Sequence, residues 1–345
     1  MVKPQHFVIL AATTLVALIL AAVLHASSTQ RASDAMAGRP VMPELRSKTS
    51  TLGSIEISKR GRTLTFVRNG EAWSVKERGG YPVEADKVRA LLVQLTNAEL
   101  AEPKTAAKDR WPLLDLEDPA AAEAKSGLVR LLDASGKPIA ALVVGKRRNN
   151  AFGTGRHGVY VRRPNETQTW LASGDPNVVL DVKDWVDPAI FKADPEKLLR
   201  VTVAHSREAP IVVEREGGKP GGKFVLKSVP EGLKVKPTAG VEQIALSLGS
   251  VELDDMRKLD VTPVGDAVTV ITAENSDGMT VTLRLRTEGE GKDAWLSFTA
   301  AGGEGDEAKK AADAINAKGA GWEFKIPKWK ADQIGKRAAD IFETS

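Results

Sequence analysis

The chain of 345 residues contains no cysteine. That absence removes disulfides, thiolate nucleophiles, iron–sulfur clusters and cysteine-built zinc sites together. It also removes a lipoprotein anchor, which needs a cysteine directly after its signal. Histidine is scarce: of four, His6 and His25 flank an apolar segment, which leaves only His157 and His205 in the body. Two isolated imidazoles, with no G-x-S-x-G elbow and no H-E-x-x-H helix, give neither a nucleophilic triad nor a metalloprotease. An excess of one charge is lacking as well. The 49 Lys and Arg against 45 Asp and Glu leave a net charge of +4, far from the density of a nucleic-acid-binding surface. Aromatic residues make up 5% of the chain and do not interleave with basic runs, so nucleic acid is not expected as a partner. No catalytic, cofactor-binding or metal-binding residue is assigned.

What is present is the composition of a folded protein, 42% hydrophobic and 27% charged. Its length exceeds the roughly 250 to 300 residues at which a single core stops growing, so two domains are expected. Residues 7–24 carry no charge and only two threonines. In an apolar medium such a segment must satisfy its own backbone as a helix, and at about 1.5 Å per residue it reaches roughly 27 Å, near the hydrocarbon thickness. The reading is a transmembrane helix within residues 1–26, following a cytoplasmic arm. The alternative is a cleaved signal peptide, against which Leu24 is too large for a small-x-small cleavage site. Basic residues lie on both sides of the span, so orientation rests on the long domain that follows it. A single-pass protein of the cell inner membrane, with its bulk periplasmic, is expected. Residues 27–52, rich in Ser, Thr and Ala, read as a flexible tether.

From Gly53 the apolar residues alternate: Ile55 and Ile57, Leu64 and Phe66, Trp73 and Val75. Turn residues separate these pairs, which predicts a three-stranded meander. Val88, Leu91, Leu92 and Leu95 then fall on one helical stripe, and strands resume at residues 128–132, 139–144, 159–162 and 169–171. The order recurs roughly 145 residues later, with strands at 199–203, 211–213 and 224–226. A helical stripe of Val241, Ile244, Leu248 and Val251 follows, then strands at 268–272, 279–285 and 295–298. A helix at 307–318, a strand at 322–326 and a last helix carrying Ile334, Ala338, Ile341 and Phe342 close the chain. The fold class is α+β: a transmembrane helix, then two tandem related units of antiparallel strands with packing helices, at 53–197 and 198–345.

Two glycine motifs fail on context. Gly153-Thr154-Gly155-Arg156-His157-Gly158 leads into a strand rather than a helix, so it reads as a turn and not as a dinucleotide loop. Gly217 to Phe224 puts Phe224 where a P-loop needs Ser or Thr, and Pro220 removes an N–H donor. Among charged groups, Asp115, Glu117 and Asp118 are the candidates for acid–base or cation chemistry, with a plain turn as the bland alternative. The densest basic stretch is Lys146-Arg147-Arg148, with Arg156, His157, Arg162 and Arg163 close in sequence. Arg147, Arg148, Arg156, His157, Arg162 and Arg163 form the candidate interaction surface, suited to anionic headgroups, a polyanion or an acidic partner. The tryptophans of predicted strands read as core.

Several short sequences in order carry a family resemblance. They are Tyr81-Pro82-Val83 before Val88 to Leu92, Asp115-Leu116-Glu117-Asp118-Pro119, Val159-Tyr160-Val161-Arg162-Arg163-Pro164 with Trp170-Leu171, Asp184-Trp185-Val186-Asp187, and Ile315-Asn316-Ala317-Lys318 with Gly321-Trp322-Glu323-Phe324. Together they resemble the DUF4340 family, over most of residues 53–345. The loop reads Leu114-Asp115-Leu116 where similar proteins tend to carry Leu-Gly-Leu. The resemblance implies a membrane-anchored extracytoplasmic body, associated with ABC-type transport systems of the gliding-motility kind, and supplies no catalytic residue. The function expected is a non-enzymatic accessory or scaffold protein beside an ABC-type permease. The alternatives are a binding module for an envelope polymer or anionic lipid, and an envelope hydrolase using the acidic loop.

Overall fold

Alternation and turn chemistry produce the first sheet as expected. In β1 (Leu52–Lys59) and β2 (Arg62–Asn69) the inward residues Ile55, Ile57, Leu64 and Phe66 are all buried. Ile55 pairs with Phe66 and Ile57 with Leu64 across the hairpin, so register and burial agree, as they must when one face is core. The computed structural model describes residues 14–20, 36–259, 268–303 and 305–344. Its pairings between named strands are antiparallel, with helices packed against sheets, which makes the fold α+β.

The chain divides into two units, residues 1–74 with 85–180, and residues 75–84 with 181–345. The second therefore starts before the expected residue 198 and takes in a short early segment that includes β4 (Tyr81–Pro82). In the first unit, β3 (Ala72–Val75) completes the meander. Helix α3 (Ala85–Asn97) turns Val88, Leu91 and Leu95 inward and leads to β5 (Leu100–Pro103). A second meander follows in β6 (Gly127–Asp133), β7 (Pro138–Arg148), β8 (Gly158–Arg162) and β9 (Trp170–Ser173). Within this unit the sheet order is β3-β2-β1-β6-β7-β8-β9-β5.

The second unit holds a small pair, β10 (Ala189–Phe191) with β15 (Val251–Glu252). Its main sheet begins with the meander β11 (Leu198–Ala204), β12 (Ile211–Arg215) and β13 (Phe224–Leu226). Helix α4 (Val241–Leu246) and β16 (Asp255–Lys258) come next. They are followed by β17 (Val268–Asn275), β18 (Thr280–Glu288), β19 (Asp293–Ala301) and β20 (Trp322–Ile326). The order is β13-β12-β11-β17-β18-β19-β20-β16. Both sheets thus run a reversed three-strand meander, a four-strand meander, and then the strand that follows the helix.

Other elements depart from the pattern. Residues 36–52 are not a tether: Val41, Met42 and Leu45 are buried, and Val41 N–H donates to Ala98 C=O at 2.9 Å. This apolar triplet is too short to show a period in sequence. The stripe through Val251 ends early, because α4 gives way to a 3-10 turn (Ser247–Gly249) and Val251 joins β15. The last helix is split into α6 (Lys328–Ile334) and α7 (Ala338–Ile341), with Phe342 in a final strand. Gly335 sits at the break, where an added Cβ would lie 2.9 Å from Leu285. Between β19 and β20 runs α5 (Asp306–Gly319). Of the apolar segment 7–24, only residues 14–20 are described, as helix α1; the rest lies outside the described residues. No helix among the described residues is long and apolar enough to cross a membrane.

Candidate interaction surface

The basic residues belong to the β7–β8 hairpin. Its connection is a built turn: Asn150 Oδ1 accepts the Gly155 N–H at 3.0 Å, and His157 Nδ1 accepts the Asn150 N–H at 3.3 Å. The Phe152 N–H donates to Arg156 C=O at 3.1 Å. The glycine motif is therefore a turn into β8, as its context predicts. Lys146, Arg148 and Arg156 stand exposed at this end and make no ion pair among the described residues. Arg147 Nε lies 3.1 Å from Asp175, an exposed pair worth at most about 1 kcal/mol.

Arg162 and Arg163 are not on that tip. Arg148 pairs with Gly158 and Val143 with Arg162, so Arg162 lies four strand residues away, about 13 Å at ~3.3 Å per residue. It is 5% exposed, and its guanidinium sits 3.9 Å over the Trp111 ring. Nη1 donates to Pro164 C=O at 3.0 Å. Burial holds the Arg162 pKa below the usual arginine value, and the charge of Asp118 opposes that shift. Arg163 Nε donates to Val41 C=O at 3.1 Å, and its Nη1 pairs with Glu166 at 3.1 Å. These two arginines fix residues 40–41 and the Trp111 turn. The hairpin end keeps Arg147, Arg148, Arg156 and His157.

The acidic loop is used for chain direction. A 3-10 turn (Lys108–Leu114) ends with Asp115 at φ 53°, a left-handed conformation that glycine takes without cost. Beneath it lies Gly145, where an added Cβ would sit 2.4 Å from Leu114 O and 2.6 Å from Asp115 O. Glu117 Oε1 accepts the backbone N–H groups of Lys125 and Ser126. Asp118 Oδ1 accepts the Ala120 N–H at 3.0 Å. Glu117 Oε1 and Asp118 Oδ1 thus bond neighbouring backbone, while Glu117 Oε2 is buried without a hydrogen-bond partner among the described residues. Asp255, of the Asp254-Asp255 pair, binds Arg78 through both oxygens, at 2.5 and 3.0 Å. Among the described residues no three His, Asp or Glu side chains gather as a metal site. His205 Nε2 lies 3.0 Å from Lys336 C=O and Nδ1 3.0 Å from Thr269 Oγ1. The carbonyl requires a donor at Nε2.

One charged constellation has no sequence motif. Arg286 Nη2 donates to both oxygens of Glu323 at 2.8 Å, and Arg257 Nε donates to the same carboxylate. Arg257 also binds Glu288, at 2.7 and 3.1 Å, and its guanidinium stacks 3.8 Å over Trp295. Hydrogen bonds from Arg257 keep the Glu288 carboxyl below its usual range, against a smaller upward push from burial. Two arginines and two glutamates close a neutral cluster on β16, β18 and β20. The available signal was Glu323, a charge set between Trp322 and Phe324 in a strand.

Comparison with known proteins gives one family. A family model described as a domain of unknown function, DUF4340, matches residues 73–301. No curated protein and no solved structure matches the chain. The match covers more than half of the sequence and takes in the hairpin, the acidic loop and most of both sheets, so the chain belongs to the DUF4340 family.

Proposed function

We propose that this chain is a non-enzymatic, membrane-anchored accessory protein whose body lies outside the cytoplasm and binds a membrane complex. An ABC-type permease is the partner that the family resemblance suggests. The observation that carries the reading is the uncharged segment 7–24. Within it, Leu15, Val16, Leu18, Ile19 and Leu20 of α1 are 56 to 63% exposed, so none of the described residues covers them. Apolar side chains left uncovered over successive helical positions favour a lipid or protein surround. The body supports it in a second way: its most buried charges are spent on one another and on backbone groups. Two sheets with one connection order are read as a duplicated unit, a repeated surface suited to a scaffold. The test is crosslinking with mass spectrometry in native membranes. An integral membrane partner at constant ratio is expected; a chain that crosslinks to no membrane protein overturns the proposal.

A second reading rests on the hairpin end, where Lys146, Arg148 and Arg156 stand exposed without ion pairs among the described residues. Such a tip suits an anionic headgroup or envelope polymer, held by screened electrostatics.

A further inference from the structure

A cavity of about 340 Å³ opens in the second unit between α5, the residues after β10, and the strands β17 and β18. That volume is near the lower end of the range of about 300 to 1,000 Å³ for small-molecule sites. At about 30 Å³ per water it holds roughly eleven waters, the space of a solute of about ten heavy atoms. Its floor is apolar and already ordered: Phe191, Ala273 and Val281 are at most 3% exposed. Ala311 and Ala314 of α5 are short enough to leave the space open.

The polar groups divide into those bonded within the protein and those left open to solvent or a ligand. Asp194 Oδ1 accepts the Glu196 N–H at 3.0 Å, and its backbone C=O accepts the N–H groups of Lys197 and Leu198 at 3.1 and 3.0 Å. These bonds set the wall. Lys197 is paired with Asp277 at 3.5 Å. Lys192 and Glu307, both exposed and carried by two different elements, line the mouth of the cavity with no hydrogen bond or ion pair from their side chains among the described residues. Asn275 is nine-tenths buried and lines the cavity, yet its side-chain amide bonds to none of the described residues. Its amide atoms are not among the buried unpartnered ones, so they are reached through the cavity, by water or by an occupant.

The geometry points to this cavity as a binding site for a small zwitterion with an apolar body, the chemistry of a free apolar amino acid. The cation of Lys192 suits its carboxylate, Glu307 its ammonium, Asn275 either group, and the alanine-lined floor its side chain. A fatty acid would leave Glu307 and half of Asn275 unanswered. An apolar amine would leave Lys192 so.

The experiment titrates the full chain in detergent with leucine, N-acetyl-leucine, leucinamide and octanoate. It follows heat and the methyl resonance of Met279, which lines the cavity. Saturable leucine binding that moves Met279 is expected. N-acetyl-leucine and leucinamide, each lacking one charge, should bind about tenfold or more weaker. Ala311→Leu, on the exposed side of α5, should abolish binding without unfolding the chain. Asn275→Ala should weaken it about tenfold. No shift at Met279 with leucine at millimolar concentration overturns the proposal. So does octanoate or either blocked derivative binding as well as leucine, or unchanged binding to Ala311→Leu. None of these results bears on membrane anchoring.

Discussion

Replacing Glu323 by alanine tests how the second unit tolerates buried charge. The Glu323 side chain is 4% exposed and faces Arg286, at 8%. Alanine would leave Arg286 with Glu288, 3.2 Å away and already bound by Arg257 at 2.7 Å. Breaking a buried pair from one side costs about 3 to 5 kcal/mol. The shared Glu288 puts the expected loss near the lower end, about 3 kcal/mol. Removing both partners is different, because two desolvated charges disappear together. Arg286→Met with Glu323→Leu should fall within about 1 kcal/mol of the parent. The assay is hydrogen exchange of the β18 and β20 amides across a urea series, which reads the second unit separately from the first. A loss below 1 kcal/mol for Glu323→Ala, or a double variant as unstable as the sum of its singles, would refute the reasoning.

Tyr81 gives a pH prediction. Burial, with the charge of Asp187 adding to it, raises its pKa to about 12 from an ordinary 10, and its ring meets Trp322 and Phe324 edge-on at 4.9 and 5.8 Å. The raised folded value favours the neutral phenol, so its contribution is complete below pH 10 and is lost as pH rises through 10 to 12. About 2 kcal/mol should disappear over that window, and the Tyr81→Phe variant should lack this loss in urea midpoints. Asp115→Gly should stabilise the first unit by about 0.5 to 1 kcal/mol, because it removes left-handed strain at some entropic cost; thermal unfolding reads it. Gly145→Ala should do the opposite, costing about 2 to 3 kcal/mol, since its Cβ meets two carbonyl oxygens that must move. Arg147, Arg148 and Arg156 changed together to alanine should weaken adsorption to anionic vesicles at low salt and remove its salt dependence. Unchanged affinity would reject the hairpin as the contact surface.

The strands were legible because their alternation matches one buried face: Ile55, Ile57, Val201 and Val203 each sit inward as the period of two requires. The α3 stripe was legible for the same reason. What failed was local: Gly335 broke a helical period, and Val251 continued the α4 stripe in sequence but left it in space. Val41, Met42 and Leu45 pack through tertiary contacts that no short pattern announces. At the surface, proximity in sequence misled. Arg148 and Arg162 lie close along the chain, yet β8 runs its length between them, and the Trp111 ring that covers Arg162 comes from a distant turn. The cluster around Glu323 needs the register of β16, β18 and β20, which a single sequence does not disclose.

Membrane attachment is tested most directly by alkaline extraction of native membranes that carry the full chain or its Leu18→Lys, Ile19→Lys variant. Each lysine at mid-span costs about 2.5 to 3.5 kcal/mol of insertion. The account predicts that the parent stays in the pellet and the variant moves to the supernatant. Recovery of the parent in the supernatant with its first residues intact would contradict it.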